Sequence, residues 1–168
     1  MSKTNGMTAI MAGEKTMGWQ DFYRRRDALN AAVEQGELRA SDAFPDEREL
    51  LLALRHRWLQ RLTARVELAE LSAGDPVDAV GEAWRRTATD NADLRALLDQ
   101  YADDPAVWPL VEAEYRLLAR AAGLTEADDS AAEEASIGAA FVALQKSAPN
   151  RCRSNPVERL LRRLVPSA

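Results

Sequence analysis

Apolar residues recur along this chain at three- and four-residue steps, the spacing of one face of an α-helix, and no long strand pattern interrupts them. The first predicted helix runs from about Gly18 to Gln35. Trp19, Phe22, Arg26, Leu29 and Val33 share one face, and Gly36 is a plausible stop. Asp46-Glu47-Arg48-Glu49 reads as a capping pattern that opens a second helix to about Leu71, about 39 Å long. Its stripe is Leu51, Leu54, Trp58, Leu62, Val66 and Ala69, widened by Leu52 and Leu59, so this helix should touch neighbours on several sides.

The remaining helices carry equally clear punctuation. Asp75-Pro76 is a cap followed by a proline whose missing N–H costs nothing in a first turn. Val77, Val80 and Trp84 then face inward, and Thr89-Asp90-Asn91 breaks the run before a short helix with Leu94, Leu97, Leu98 and Tyr101. Asp104-Pro105 repeats the signal. Val107, Val111, Glu114, Leu118 and Ala121 share a face with Tyr115 beside them, Pro109 predicts a bend or a late start, and Gly123 stops the helix. Ser130-Ala131-Ala132-Glu133 opens a sixth helix to about Lys146 with Ile137, Phe141 and Leu144, and a second face of small residues. After a loop over Pro149–Asn155, Asn155-Pro156-Val157-Glu158 caps a last short helix with Val157, Leu160, Leu161 and Leu164. The expected architecture is all-α, a single-domain bundle of six or seven helices over 18–148. Residues 1–17 are expected as a flexible tail and 149–168 as a basic loop and short helix packed on the bundle.

Composition agrees with helix. The 168 residues are 46% hydrophobic and 29% charged, rich in alanine and leucine, with only Ile10 and Ile137 as isoleucines. Charge is uneven. Residues 149–168 hold five arginines against Glu158, about +4, so a total of −5 leaves −9 for residues 1–148. A body this acidic repels duplex DNA, although the basic tail alone suits an anionic surface. No apolar run of membrane-spanning length occurs, and Met1–Met17 lacks the apolar centre of a secretory signal, which places the expected location in the cytoplasm.

Candidate chemistry is sparse. Cys152 is the single cysteine and His56 the single histidine, so neither an internal disulfide nor a cysteine zinc cluster can form within the chain. No Glu-x-x-His pair exists, because position 53 is alanine. The scattered glycines make no phosphate loop, and there is no G-x-S-x-G elbow. No metal, cofactor or catalytic residue is therefore expected. Arg57, Arg61 and Arg65 stand at four-residue steps, placed either to bind an anion or to form ion pairs at the core edge. Trp58, Leu62, Trp84, Trp108 and Tyr115 are candidates to line an apolar pocket, with plain core filling as the alternative. Ala135, Gly138, Ala139, Val142 and Ala143 would let another helix approach closely, as at a homodimer interface, or would receive a helix of the same chain.

The stretch Phe44-Pro45-Asp46-Glu47-Arg48-Glu49-Leu50-Leu51-Leu52-Ala53 resembles the junction that leads out of the DNA-binding part of tetracycline-repressor-like regulators. Ala83-Trp84, Leu94-Arg95-Ala96-Leu97-Leu98 and Arg116-Leu117-Leu118-Ala119-Arg120-Ala121-Ala122-Gly123 are similar in style to that family's effector domain, over roughly residues 44–147. That family places three helices before the junction; here only one helix and residues 37–45 stand there. The resemblance thus implies an effector-type regulatory domain without its DNA reader, dimeric and able to take a small apolar ligand, and it carries over no functional residue. The alternatives are an interaction adaptor that uses the basic C-terminal helix, and a DNA-binding regulator. The acidic body leads to a direct expectation: duplex DNA mixed with the protein at physiological salt gives no sequence-dependent gel shift. A sequence-dependent shift at nanomolar protein would overturn it.

Overall fold

Asp46 begins the helix around which the others assemble. The computed structural model describes residues 5–147, with side chains from residue 18 onward. Among these residues the chain is one all-helical domain: α1 (Asn5–Gln35), α2 (Glu47–Glu70), α3 (Pro76–Asp90), α4 (Ala92–Gln100), α5 (Trp108–Ala121) and α6 (Ala131–Ser147), with a 3-10 turn at Pro105–Val107 and no strand. None of these helices is long and apolar enough to cross a membrane. The helix expected after Asn155 lies outside the described residues.

The caps act as their residue types require. Asp46 accepts the Arg48 N–H at 2.9 Å, and Asp75 accepts those of Val77 and Asp78. Ser130 and Glu133 form a reciprocal box, the Ser130 N–H reaching the Glu133 carboxylate at 2.8 Å and the Glu133 N–H reaching the Ser130 hydroxyl at 3.3 Å. At α2 the box stays open, because Glu49 pairs with Arg25 of α1 at 2.7 Å instead. Gly36 and Gly123 stop α1 and α5 with φ of 68° and 66°. Asp104 caps the 3-10 turn, and α5 starts late, at Trp108, with Pro109 in its first turn.

Leu50, Leu51, Leu54, Trp58, Leu62 and Val66 of α2 are buried, and α2 touches α1, α3, α4, α5 and the 3-10 turn. It is the central helix that its widened stripe predicts. Leu94, Leu97 and Leu98 of α4, Val80 and Trp84 of α3, and Leu118 of α5 complete the core. The loop before α2 adds Leu38 and Phe44, the latter held by paired backbone bonds with Ser41. It contains no helix, so α1 alone precedes α2 among the described residues.

Three expectations change. First, residues 5–17, read as a loose tail, continue α1. Nothing in them terminates a helix: they contain no proline, and Ala9, Met11, Ala12, Glu14 and Lys15 are good helix formers. Second, the face of Trp19 and Phe22 does not enter the core. Among the described side chains of α1, the apolar ones that pack on the core are Ala28, Leu29, Ala32 and Val33, and the aromatic residues before them lie outside it. Third, Val77 and Leu144 are exposed. α6 buries a seam of Glu134, Gly138, Phe141 and Val142 that runs between its two apolar faces.

Gly138 shows why that seam was chosen. A Cβ built there would overlap the backbone of Tyr115, including its carbonyl. The small residues let α6 lie against α5, so Gly138 and Val142 are taken up within the chain; Ala135 and Ala139 are half-buried beside them and Ala143 is exposed. The close approach that suggested a second copy is an internal packing.

Gly138→Ala should therefore destabilise the fold by about 1–3 kcal/mol through overpacking, the opposite sign to the roughly 1 kcal/mol gain of the same change in an open helix. Gly81→Ala, whose new methyl would meet only the movable ends of Gln145 at 2.8 Å and Arg85 at 3.3 Å, should cost under about 1 kcal/mol. Thermal unfolding of both variants checks the pair; a Gly138→Ala protein that melts higher than the parent refutes the close approach.

Candidate functional site

The most unusual chemistry lies inside the core. Glu114 of α5 is 1% exposed, and donors from three other helices converge on it. Trp84 Nε1 of α3 donates to Glu114 Oε1 at 3.2 Å. Arg55 of α2 places Nη2 at 3.3 Å from Oε2, and Arg95 of α4 places Nη1 at 3.5 Å from Oε1. Arg95 also reaches Asp99 at 2.7 Å, and Lys146 of α6 stands 3.7 Å from the same carboxylate. The Arg95 guanidinium lies over the rings of Trp58 and Trp84, 5.1 and 5.7 Å from their centroids.

Burial acts on two of these charges, Arg55 and Asp99. It pushes the Arg55 guanidinium below its ordinary pKa, with Glu114 opposing the shift and Arg95 adding to it. Burial alone would raise the Asp99 carboxyl, but Arg95, Lys146 and Arg55 outweigh it and hold the group below its usual range. Four buried atoms, Arg55 Nε, Trp58 Nε1, Arg95 Nη1 and Glu114 Oε2, make no hydrogen bond to the protein. Breaking such a buried pair costs more than forming it gains, so the cluster reads first as a tie between helices and not as a reactive centre.

The five residues proposed to line an apolar pocket are not brought together around a space. Trp58 and Leu62 are 0% exposed and Trp84 is buried, so the three fill the core. Tyr115 is half-buried with its backbone against Gly138, and Trp108 is exposed at the start of α5. The surface clefts follow the α2–α3 groove and the sides of α1, and none of those described is lined by any of the five. Of the two readings, core filling holds for Trp58 and Trp84; helical spacing places a ring on an inner face without saying whether that face is filled.

The arginine ladder forms internal bonds. Arg57 donates to Asn30 of α1 at 2.8 Å, Arg61 to Asn91 between α3 and α4, and Arg65 to Asp90 at 2.7 Å. His56 is exposed, and among the described residues no group of three His, Cys, Asp or Glu is placed to hold a metal. Arg55 and Arg95 went unassigned in the sequence. A signal existed: Arg55 lies four after Leu51 and three before Trp58, and Glu114 lies between Val111 and Leu118, so each interrupts an inward stripe with an opposite charge.

The exposed surface concentrates its aromatic residues in one place. Trp19 and Phe22 are 58% and 57% exposed, and with Tyr23 they form a cluster of three rings with centroids 5.6 to 6.3 Å apart on the overhanging part of α1. Arg25 anchors the base of this overhang, lying over Phe44 at 4.5 Å while it pairs with Glu49. No family model, curated protein or solved structure matches the chain.

The cluster gives a thermodynamic expectation. Glu114→Leu, which strands Arg55 in the core, should cost about 3–5 kcal/mol. Adding Arg55→Met should recover part of that loss, so the double variant is more stable than Glu114→Leu alone. Urea unfolding of the two single variants and the double closes the cycle. Strictly additive losses would mean that the pair does not hold these helices.

Proposed function

We propose that the chain is a non-catalytic regulatory module that acts as a homodimer, paired through the overhanging part of α1. The observation that carries this reading is the Trp19–Phe22–Tyr23 cluster: three contacting rings, all exposed, on a stretch of α1 whose described side chains lie outside the core. Exposed aromatic clusters of this kind mark interfaces. A 31-residue helix spans about 47 Å, and a helical stretch with little tertiary packing is marginal in water, so a covering partner stabilises it.

Several features favour a second copy as that partner. The exposed stretch balances its charges within the helix, Arg24 with Asp21 and Arg26 with Asp27, so a second copy meets no net repulsion there, and two-fold pairs are the commonest homo-oligomers. The three rings would bury about 300 Å² per copy, short of the roughly 800 Å² a stable partner surface needs. The pairing must therefore extend along α1 toward Asn5, where the sequence supplies Met7, Ile10 and Met11. The small apolar ligand expected from the repressor resemblance is not part of this reading, since Trp58, Leu62 and Trp84, meant to hold it, fill the core.

Light scattering coupled to size exclusion tests the proposal. The parent protein should have twice the chain mass, and Phe22→Glu should give a monomer with unchanged far-ultraviolet circular dichroism. A parent that is monomeric at high micromolar concentration, or a Phe22→Glu variant that stays dimeric, rejects pairing through α1.

A further inference from the structure

The α2–α3 hairpin presents a second surface with its own chemistry. Leu68 and Leu71, at the end of α2, are 70% and 84% exposed, and Val77 is exposed at the start of α3. Acids surround them: residues 64–82 hold Glu67, Glu70, Asp75, Asp78 and Glu82 against a single Arg65. Arg65 is taken up by Asp90, and Glu82 by Arg85 and Arg86. Glu67, Glu70 and Asp78 are exposed and form no ion pair among the described residues. The end of the hairpin is thus apolar and acidic at once, and an open cleft runs up to it past Leu68, Ala69 and Ala83 and the paired charges Arg65–Asp90 and Arg86–Glu82.

We propose that this surface receives residues 156–164 of the same chain. The segment has the complementary pattern: Val157, Leu160, Leu161 and Leu164 at helical spacing, with Arg159, Arg162 and Arg163 between them. Residues 149–168 carry about +4 by direct count and residues 64–82 about −4. The described chain ends in the right place. Gln145, two residues before the end of α6, bonds to Arg85 of α3, and its side chain lies beside Gly81. From Gly81 the start of α3 is about 7.5 Å away along the helix axis. Residues 148–155 span up to about 27 Å when extended, ample to cross that distance. Tethering also lowers the affinity required, because a short linker holds the segment at roughly millimolar effective concentration.

Hydrogen exchange on the full-length protein tests the docking. Amides of residues 157–164 should exchange at least roughly tenfold more slowly than in the isolated peptide. The variant Glu67→Lys/Glu70→Lys/Asp78→Lys, which alters only exposed side chains, should abolish that protection while leaving the exchange of α5 unchanged. Three outcomes would each overturn the proposal: peptide-like exchange in the parent protein, protection that survives the triple substitution, and protection that disappears on dilution and so belongs to a second copy.

Discussion

A carboxylate in a core must be answered by donors, and Glu114 is answered from three directions. Arg55, Trp84 and Arg95 belong to α2, α3 and α4, and all three reach the same two oxygens of α5. Apolar packing alone tolerates sliding of one helix along another, since it is non-directional. The hydrogen bond from Trp84 does not, because it has a length and an angle to satisfy, and the Arg55 and Arg95 guanidiniums add charge attraction to the same carboxylate. Four helices are therefore tied to one point, and Asp99 carries the connection on to Lys146 of α6. The net gain in stability from such a cluster is small or negative beside an apolar equivalent, so its contribution is definition of geometry.

The outer ties extend this frame. Arg61 and Arg65 clamp the elbow between α3 and α4 from α2, which orients α4 and with it Arg95. On the other side, α6 contributes few large side chains, yet Gly138 lets its backbone settle on Tyr115 and brings Phe141 and Val142 into the core. Arg120 completes that contact with a two-pronged hold on Glu134, at 2.8 and 2.6 Å. The hydrogen bond from Arg120 keeps the Glu134 carboxyl below its usual range.

Much of this was legible in the residues. Caps at Asp46, Asp75, Asp104 and Ser130 and stops at Gly36 and Gly123 give the element boundaries, because a local hydrogen bond or a left-handed turn needs only its neighbours in sequence. The stripe of α2 gives its central place. What periodicity does not carry is the extent of the partner surface. Trp19 and Phe22 have helical spacing like Trp58 and Leu62, yet the bundle ends before it reaches them. The same limit applies to the small face of α6, where the sequence shows that something packs closely and cannot show that it is α5. Arg55 and Glu114 each interrupt an inward stripe, and only their opposite charges, read together, mark them as a buried pair.

The overhang of α1 has a mechanical consequence. Its fastening to the bundle runs from Arg25, which grips Glu49 and Phe44, to Val33. Beyond Arg25 about 30 Å of helix continues to Asn5 at 1.5 Å per residue. A tilt of about 10° at the fastening would displace the far end by about 5 Å, as in a cantilever of that length. The position of the whole beam is therefore set by how Arg25 seats on Phe44 and Glu49.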